Sequence, residues 1–461
     1  MVTPPAGASV SGTSLITRLR ISITSGENSV PAEVTFFSVG QGDCTLIVFY
    51  GSDPQQGEAA VLVDCGSKSE IDHKYNGSDP KKDVRMHDHI TDEIAARLGR
   101  LKNPNTLDYL IITHPDEDHY NYLGYLLFHE DRKRLLYSVR NVLHTGKTTD
   151  FTAASRESFP AMRTVLEKHA EYETVAGGPA FLSPPRQIVR QVVAPEKLVE
   201  MPVASGSAGE AGLYLIAACT GRPDPAQGAK KRKTGTRASG ELWPPFANRG
   251  RREVAAKRKA APSYVYDPNR EAIALLLLGQ SAAGKEQRVF LMADTGEDVE
   301  RLLISRKTGP GMRKTWMTWL KAGHHGSRTS TSDAWLDFIQ PDGILISSGT
   351  YAFGGDGGIP PLSKMNEMLK TWKALPRKPV TVRPNKQDRA LPEIGYFADR
   401  DEDLERGAFK KNFRTEPGIV GVFTNLVHFV EKPTKSDASY GYDWQLKIDP
   451  EGANTYTLTY E

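Results

Sequence analysis

The feature that most constrains this chain is a run of six residues, 114–119, which reads His-Pro-Asp-Glu-Asp-His and contains four potential metal ligands. It follows the apolar segment 107–112, whose length and composition are typical of a buried strand. On so short a loop, the carboxylates of Asp116 and Asp118 repel each other unless a positive charge neutralises them. A divalent cation supplies that charge, and the imidazoles of His114 and His119 complete a mixed nitrogen and oxygen ligand set. An acidic surface loop with two incidental histidines is the alternative.

Apolar periodicity divides much of the chain into alternating strands and helices. After the six-residue run, Leu123, Leu126 and Leu127 have the spacing of one helical face, so the ligands are expected on a strand-to-helix loop. Further strands are predicted at 34–37, 45–50, 61–63, 139–143, 213–219, 272–278, 289–292 and 343–347, and helices around 90–101, 162–169, 332–339 and 362–372. Periodicity alone therefore predicts the α/β class.

Five ordered segments resemble motifs of the metallo-β-lactamase superfamily, and in particular of the hydrolase domain of the competence protein ComEC and its soluble relatives. The run at 114–119 resembles the HxHxDH signature, with aspartate at the second ligand position. The segments 39–43 (VGQGD), 63–66 (VDCG), 290–294 (FLMAD) and 320–327 (LKAGHHGS) are similar to the family's VGQGD, DxG, LLTGD and LKxxHHGS. The resemblance covers about residues 32–375 and implies an αββα sandwich with the site at one edge of the sheets.

The resemblance also implies which residues hold metal. It assigns two divalent ions to His114, Asp116, Asp118, His119, Asp294 and one histidine of the His324-His325 pair. Asp294 corresponds to the carboxylate that bridges the ions, which would hold a hydroxide that attacks an ester. A carboxylate at Asp116 in place of imidazole moves the expected metal from zinc alone toward manganese, with magnesium possible.

Four residues near these ligands leave alternatives open. We favour His324 as the ligand because it directly follows a predicted strand, and His325 would then contact the leaving group or a phosphate oxygen, or only hold His324 by packing. Asp64 matches a position that braces the site by hydrogen bonding. His144 lies where the superfamily often has a further histidine ligand, but no motif supports it, and a helix-cap or surface histidine is the alternative.

One segment departs from the resemblance. ComEC-like domains usually carry a histidine in a GHP-type segment, whereas residues 354–361 of this chain read GGDGGIPP. If that histidine binds phosphate or metal in the family, Tyr351 or Asp356 must substitute for it, or the activity is altered.

The length of 461 residues is enough for a catalytic domain with an appended module. We expect an N-terminal segment at 1–31, a hydrolase domain at 32–375 with an insertion at about 221–263, and a β-rich module at 376–461, where Val, Thr, Tyr and Phe alternate. No apolar run approaches the ~20 residues of a membrane-spanning helix. The start also lacks the pattern of a secretory signal. These features predict a soluble, cytoplasmic protein that does not bind membranes.

The three cysteines, Cys44, Cys65 and Cys219, are widely spaced. An odd number at such spacing predicts small buried hydrophobic residues rather than disulfide partners or thiolate ligands.

The net charge of +3 conceals a basic segment inside the predicted insertion. Between residues 230 and 259, eleven Lys or Arg face Glu241 and Glu253, a local net charge of +9. Clustered basic side chains bind phosphates, and Trp243 and Phe246 can stack on unpaired bases. Nucleic-acid contacts are therefore expected from Lys230, Lys231, Arg232, Lys233, Arg251 and Arg252. A solvated loop is the alternative, since basic low-complexity stretches are common.

Three functions follow from these observations. The resemblance implies a metal-dependent phosphodiesterase or nuclease. A hydrolase of a nucleotide, a phosphorylcholine-like ester or another small ester would keep the metals and show a deep apolar pocket without a basic groove. An interaction subunit of a multiprotein defence or DNA-handling system would bind a protein partner through the C-terminal module and would have a metal site too degraded to bind.

Overall fold

The computed structural model describes most of the chain that precedes residue 200 and separate stretches after it. The described residues are 17–23, 32–37, 39, 42–50, 56–68, 86–153, 159–172, 178–193, 195–200, 210–221, 267–280, 286–306, 317–341, 343–347, 362–375, 420–423, 444–445, 447–448 and 458–460. The predicted basic segment at 230–259 and the segment 351–361 lie outside these ranges, so both predictions stay at the level of the sequence.

The strands of the first half begin near the start of the chain. They are β1 Thr17–Ile23, β2 Ala32–Phe36, β3 Cys44–Tyr50, β4 Gly57–Cys65, β5 Thr106–Leu107, β6 Tyr109–Ile112, β7 Ser138–Val139, β8 Val142–His144 and β9 Arg186–Gln187. The strands of the second half are β10 Glu196–Glu200, β11 Glu210–Ala217, β12 Ala274–Gln280, β13 Glu286–Leu291, β14 Met317–Lys321, β15 Gly343–Ile346, β16 Val420–Phe423, β17 Trp444–Gln445, β18 Lys447–Ile448 and β19 Leu458–Tyr460.

The described helices are short. They are α1 Met86–Leu98, α2 Glu117–Tyr120, α3 Leu123–Leu127, α4 Met162–Glu167, α5 Pro268–Glu271, α6 Glu297–Arg306, α7 Asp333–Ile339 and α8 Leu362–Ala374, with 3₁₀ turns at Thr148–Asp150, His169–Tyr172 and Gly323–Gly326. In the parts of the chain that the structure covers, we find no helix of the length and apolarity needed to cross a bilayer.

Two large sheets organise the molecule. The first has the strand order β18-β1-β2-β3-β4-β6-β8-β9, and β17 and β19 pair with β2 and β1. The second has the order β10-β11-β12-β13-β14-β15-β16. The first sheet changes from antiparallel to parallel pairing at β4, and the second does so at β13. A short pair, β5 and β7, lies beside the first sheet.

The alternation of side chains along the strands builds four layers. On β3, Ile47 and Phe49 enter the core between the two sheets, while Leu46 and Val48 face helices α1 and α3 on the outer side. The outer face of the second sheet packs in the same way against α6, α7 and α8. Period-two alternation places apolar residues on both faces of a sheet only when both faces are covered. The predicted α/β class and the αββα sandwich are therefore confirmed.

Two features differ from the simplest sequence interpretation. The helix predicted from Leu123, Leu126 and Leu127 is present as α3, whereas α2 begins within the six-residue run. Between them, the Asn121 side chain accepts from the Ser67 amide (2.9 Å) and donates to the Ser67 carbonyl (2.7 Å). The amide of Tyr122 also donates to Cys65 at 3.1 Å, which diverts the chain from a helix. After residue 376, the described strands extend the two large sheets. A separate C-terminal module stays a prediction.

The parallel strands end at one edge of the molecule. Asp64 and His144 lie at the ends of β4 and β8, and His114 follows β6. In the second sheet, Asp294 follows β13 and the His324-His325 pair follows β14. Residues beyond the carboxyl ends of parallel strands commonly form the binding site of such sheets. The fold therefore brings the two halves of the chain together at this edge.

Candidate metal centre

Four residues at this edge have a backbone conformation that side chains rarely adopt. The φ angles are 55° at Asp64, 45° at Ala293, 45° at His324 and 51° at His325. A left-handed conformation costs a residue other than glycine about 1–3 kcal/mol, and such strain concentrates at functional sites. Because His324 and His325 are both left-handed, their rings splay apart, with centroids 6.3 Å from each other.

Asp294 divides four histidines into two pairs. Its Oδ1 atom lies 3.3 Å from His119 Nε2 and 3.4 Å from His325 Nε2. Its Oδ2 atom lies 3.7 Å from both His114 Nε2 and His324 Nε2. One carboxylate therefore stands between two sets of imidazoles, as a bridging ligand would.

Each pair of histidines has a carboxylate of its own. Asp118 Oδ2 lies 3.4 Å from His325 Nε2, and Asp116 Oδ2 lies 3.6 Å from His114 Nε2. We call Asp118, His119 and His325 the inner set, because His119 and His325 face Oδ1 of Asp294 and Asp118 faces His325. We call His114, Asp116 and His324 the outer set, because His114 and His324 face Oδ2 and Asp116 faces His114. Asp116 and His324 belong to none of the metal-capable groups formed by the described residues. Both sets combine nitrogen and oxygen donors, as zinc and manganese sites do.

Four of these atoms are buried without a hydrogen-bond partner among the described residues. They are Nε2 of His114, His119 and His325 and Oδ1 of Asp294. A buried polar atom without a partner costs about 1–3 kcal/mol, and more if it is charged. Ligand atoms of His114, His119 and Asp294 lie within 4.8 Å of one another, and so do those of Asp118, His119 and His325. A metal ion would satisfy these donors, so the residues present fit the metals that the resemblance implies.

The opposite ring nitrogens of the inner histidines are held in place. Asp64 Oδ2 lies 2.8 Å from His119 Nδ1, and the same carboxylate accepts from the Thr113 amide at 2.8 Å and the Thr113 hydroxyl at 2.7 Å. His325 Nδ1 lies 2.7 Å from the carbonyl oxygen of Ser347 and must donate to it. In the neutral ring, this leaves the Nε2 lone pair facing inward. Asp64 therefore contacts His119 through a hydrogen bond, and it also forms a metal-capable group with Asp43 and His119. Its bracing role stays a prediction.

Burial and neighbouring charges shift the pKa values of the ligands in opposite directions. Burial lowers the pKa of His119, but the carboxylates of Asp294 and Asp64 raise it more, so its pKa is well above the usual value. Burial raises the pKa of Asp294, but the charges of His325 and His119 hold it well below its usual range. Metal binding at this centre would therefore release protons.

Glycines bring the ligand loops into backbone contact. A Cβ atom on Gly42 would lie 2.7 Å from the carbonyl oxygen of Asp118, and one on Gly66 would lie 2.6 Å from the amide nitrogen of Tyr120. The amide of Asp43 donates to the same carbonyl of Asp118 at 3.0 Å. The position of the six-residue run is therefore set by main-chain packing.

The structure does not bring His144 into this cluster. Its ring is buried, lies edge-on to Phe151 at 5.7 Å, and has Nδ1 3.3 Å from the carbonyl oxygen of Thr145. Burial lowers its pKa, and it belongs to none of the metal-capable groups formed by the described residues. Its role as a further ligand stays a prediction.

Sequence reasoning missed three charged side chains at this site. Lys321 forms a buried ion pair with Asp43, which joins the two halves of the molecule. Both residues belong to motifs quoted for the resemblance, and a charge at the end of an apolar strand was the available signal. Lys68 Nζ lies 2.9 Å from Asp118 Oδ1. Burial lowers the pKa of Lys68, but the charge of Asp118 raises it more. No sequence pattern indicated this contact.

One of three comparisons with known proteins, the match to a family model, agrees with the geometry. Residues 38–187 match the family model described as the metallo-beta-lactamase superfamily, and this segment contains the six-residue run, Asp64 and His144. A solved structure, the metallo-β-lactamase MIM-1 of Novosphingobium pentaromativorans, is similar at 9% identity over 68% of this chain and 88% of its own, with a TM-score of 0.25. No curated protein matches the chain. The TM-score is too low to support a shared fold, so the assignment follows from the sequence match. Residues 38–187 are therefore assigned to a domain of the metallo-β-lactamase superfamily, a superfamily of metal-dependent hydrolases.

Proposed function

We propose that the protein is a metal-dependent phosphodiesterase that acts on nucleic acid with two divalent ions. The observation that supports this most directly is the division of four histidines by Asp294, in which each oxygen faces its own imidazole pair. Two ions held in this way supply Lewis acidity and an activated water to a phosphoryl centre.

The inner set would hold one ion and the outer set the other. His325 contributes to the inner set and His324 to the outer set, so the histidine pair serves both ions rather than one. Asp294, the only carboxylate that faces both sets among the described residues, would fix the spacing between the ions. The oxygen content of the two sets suits manganese as well as zinc, with magnesium possible.

The chain's own residues prepare the centre. Asp64 and the Ser347 carbonyl orient His119 and His325 before any ion arrives. Holding ligands in this way typically contributes about 10–100-fold to metal affinity or activity. The Asp43–Lys321 ion pair links the two halves of the molecule at the site.

The basic segment at 230–259 supports nucleic acid as the substrate. Its local charge of +9 would attract a polyanion to a chain whose remaining residues are acidic overall. A protein partner at the C-terminal strands remains an expectation from the sequence.

The test is to strip the protein with a chelator and reload it with Zn²⁺, Mn²⁺ or Mg²⁺. Elemental analysis should give two ions per chain, and the loaded protein should cleave DNA or RNA and a chromogenic phosphodiester. The matched control is Asp294→Asn, which keeps the side-chain volume and removes the bridging charge. Cleavage that persists undiminished in this variant, or fewer than one ion bound per wild-type chain, would overturn the proposal.

A further inference from the structure

The candidate metal centre has a group of buried ligands, which we call the floor, and a group of partly exposed ionisable side chains, which we call the rim. The side chains of His114, His119 and His325 are at most 1% exposed, and those of Asp118 and Asp294 at most 3%. Three ionisable side chains reach solvent from the same cluster: Lys68 (27%), Asp116 (36%) and His324 (24%). Among the described residues, these three groups form the solvent-exposed edge of the cluster.

Lys68 is attached to a backbone that is held against the site. The residue before it, Ser67, is held by two hydrogen bonds with the Asn121 side chain, which accepts from the Ser67 amide and donates to the Ser67 carbonyl. The amide of Gly66 donates to Asp43 at 3.1 Å. The Lys68 side chain therefore extends from a backbone that is held in place, three residues after Cys65 at the end of β4.

Lys68 and His325 contact different oxygen atoms of the Asp118 carboxylate. Lys68 Nζ lies 2.9 Å from Oδ1, whereas Oδ2 faces His325 Nε2 at 3.4 Å. An ammonium has three N–H donors and can contact a carboxylate and a ligand oxygen at the same time. Lys321, the other lysine close to the cluster among the described residues, is buried and paired with Asp43, so it cannot take that place.

We propose that Lys68 contacts a non-bridging oxygen of an anionic ester bound at the metal centre, and that it thereby selects anionic phosphodiesters over neutral esters. This proposal rests on the proposed function, because it needs an ester at the ions. The positive group stands at the rim, 2.9 Å from a ligand of the inner set, where the unreacting oxygens of a phosphodiester would lie. A hydrogen bond to a charged group commonly contributes enough to change affinity by about 10- to 100-fold.

The test compares two esters that release the same p-nitrophenolate. Lys68→Gln removes the charge and keeps a polar chain, and Lys68→Arg restores the charge. For bis(p-nitrophenyl) phosphate, Lys68→Gln should lower kcat/KM by about 10- to 100-fold, mainly through KM. Turnover of neutral p-nitrophenyl acetate should change less than about twofold, and Lys68→Arg should recover most of the loss.

A binding measurement makes the test independent of turnover. Calorimetric titration of the metal-loaded protein with inorganic phosphate should show weaker binding for Lys68→Gln by a similar factor, with the metal content unchanged. The matched control is Lys102→Gln, because Lys102 is an exposed lysine that pairs with Glu58 near the start of β4, at the other end of the strand. Lys102→Gln should change the turnover of neither ester.

Three results would separate the possibilities. Equal losses on both esters, or loss of metal, would overturn the proposal and make Lys68 only a positioning residue for Asp118. Unchanged phosphate binding in Lys68→Gln would overturn it as well. A wild-type protein that binds two ions and phosphate through Lys68 but cleaves no phosphodiester would refute the proposed function and leave the anion contact established.

Discussion

The inner and outer ligand sets share one carboxylate but differ in how firmly they are held. His119 and His325 of the inner set are buried. Their Nδ1 atoms lie 2.8 Å from Asp64 and 2.7 Å from the Ser347 carbonyl oxygen, respectively. In the outer set, His324 is partly exposed, and its Nδ1 lies 3.5 Å from the Thr329 hydroxyl, a weak contact. Preorganised ligands lose less entropy when they bind. The inner ion should therefore bind more tightly, and the outer ion should exchange.

The largest effect is expected at the residue that both sets share. Asp294→Ala should abolish stoichiometric binding of both ions, because neither set then has its bridging oxygen. An ion at 100 times its Kd stabilises the wild-type fold by about 2.7 kcal/mol, so the variant should also lose the metal-dependent rise in Tm. Thermal unfolding with and without metal measures this. If the Asp294→Ala variant still gains stability from metal, the two ligand sets do not depend on Asp294 as a shared ligand.

The next effect separates the sets. His325→Ala should remove the inner ion, whereas His324→Ala should keep it and weaken only the outer one. Titration of the stripped proteins against a chromophoric chelator should show one tight site remaining in His324→Ala and none in His325→Ala. Identical titrations would show that the two histidines do not serve different ions.

A smaller effect is expected from the residue that braces the inner set. Asp64→Asn should weaken metal binding or activity by about 10–100-fold, since Asp64 holds His119 through a hydrogen bond. Asparagine tolerates the left-handed backbone at this position, so the substitution tests the hydrogen bonds rather than strain. Metal affinity and kcat/KM should both report the loss. A loss as large as that of Asp294→Ala would mean that Asp64 binds an ion itself.

The smallest effect on metal binding is expected at His144. His144→Ala should leave the stoichiometry and affinity of both ions unchanged within about twofold. It should lower the free energy of unfolding by about 1–3 kcal/mol, because a buried ring that packs on Phe151 is lost. Denaturant unfolding and elemental analysis measure the two quantities. Loss of one ion from this variant would show that His144 is a metal ligand, as a histidine at this position often is in the superfamily. His144 would then belong to the outer set.

The two halves of the site differ in how far the sequence predicts them. The first ligand cluster occupies six adjacent residues after an apolar strand, so local spacing was enough to identify it. Most strands and helices also follow from periodicity, because their apolar faces are covered in the fold. The roles of His324 and His325 depend on left-handed backbone angles, which residue preferences do not predict for histidine.

Contacts between distant segments were beyond sequence reasoning altogether. Lys68 meets Asp118 because the adjacent parallel strands β4 and β6 of the first sheet end side by side. Lys321 meets Asp43 because the two large sheets end at one edge. Partner choice across such distances depends on register and sheet packing rather than on local pattern. The contact of Asn121 between α2 and α3 is of the same kind, since Asn121 bonds a residue on another strand's loop.

The glycine contacts under the six-residue run have a consequence for how such a site can change over generations. Gly42 and Gly66 leave no space for a side chain against Asp118 and Tyr120, so even an alanine there would push the ligand loop away. Substitutions that survive selection should therefore collect at the rim, around Lys68 and His324, where new side chains can be accommodated. A library that randomises the rim and leaves both glycines intact should yield new substrate preferences with the metal chemistry preserved.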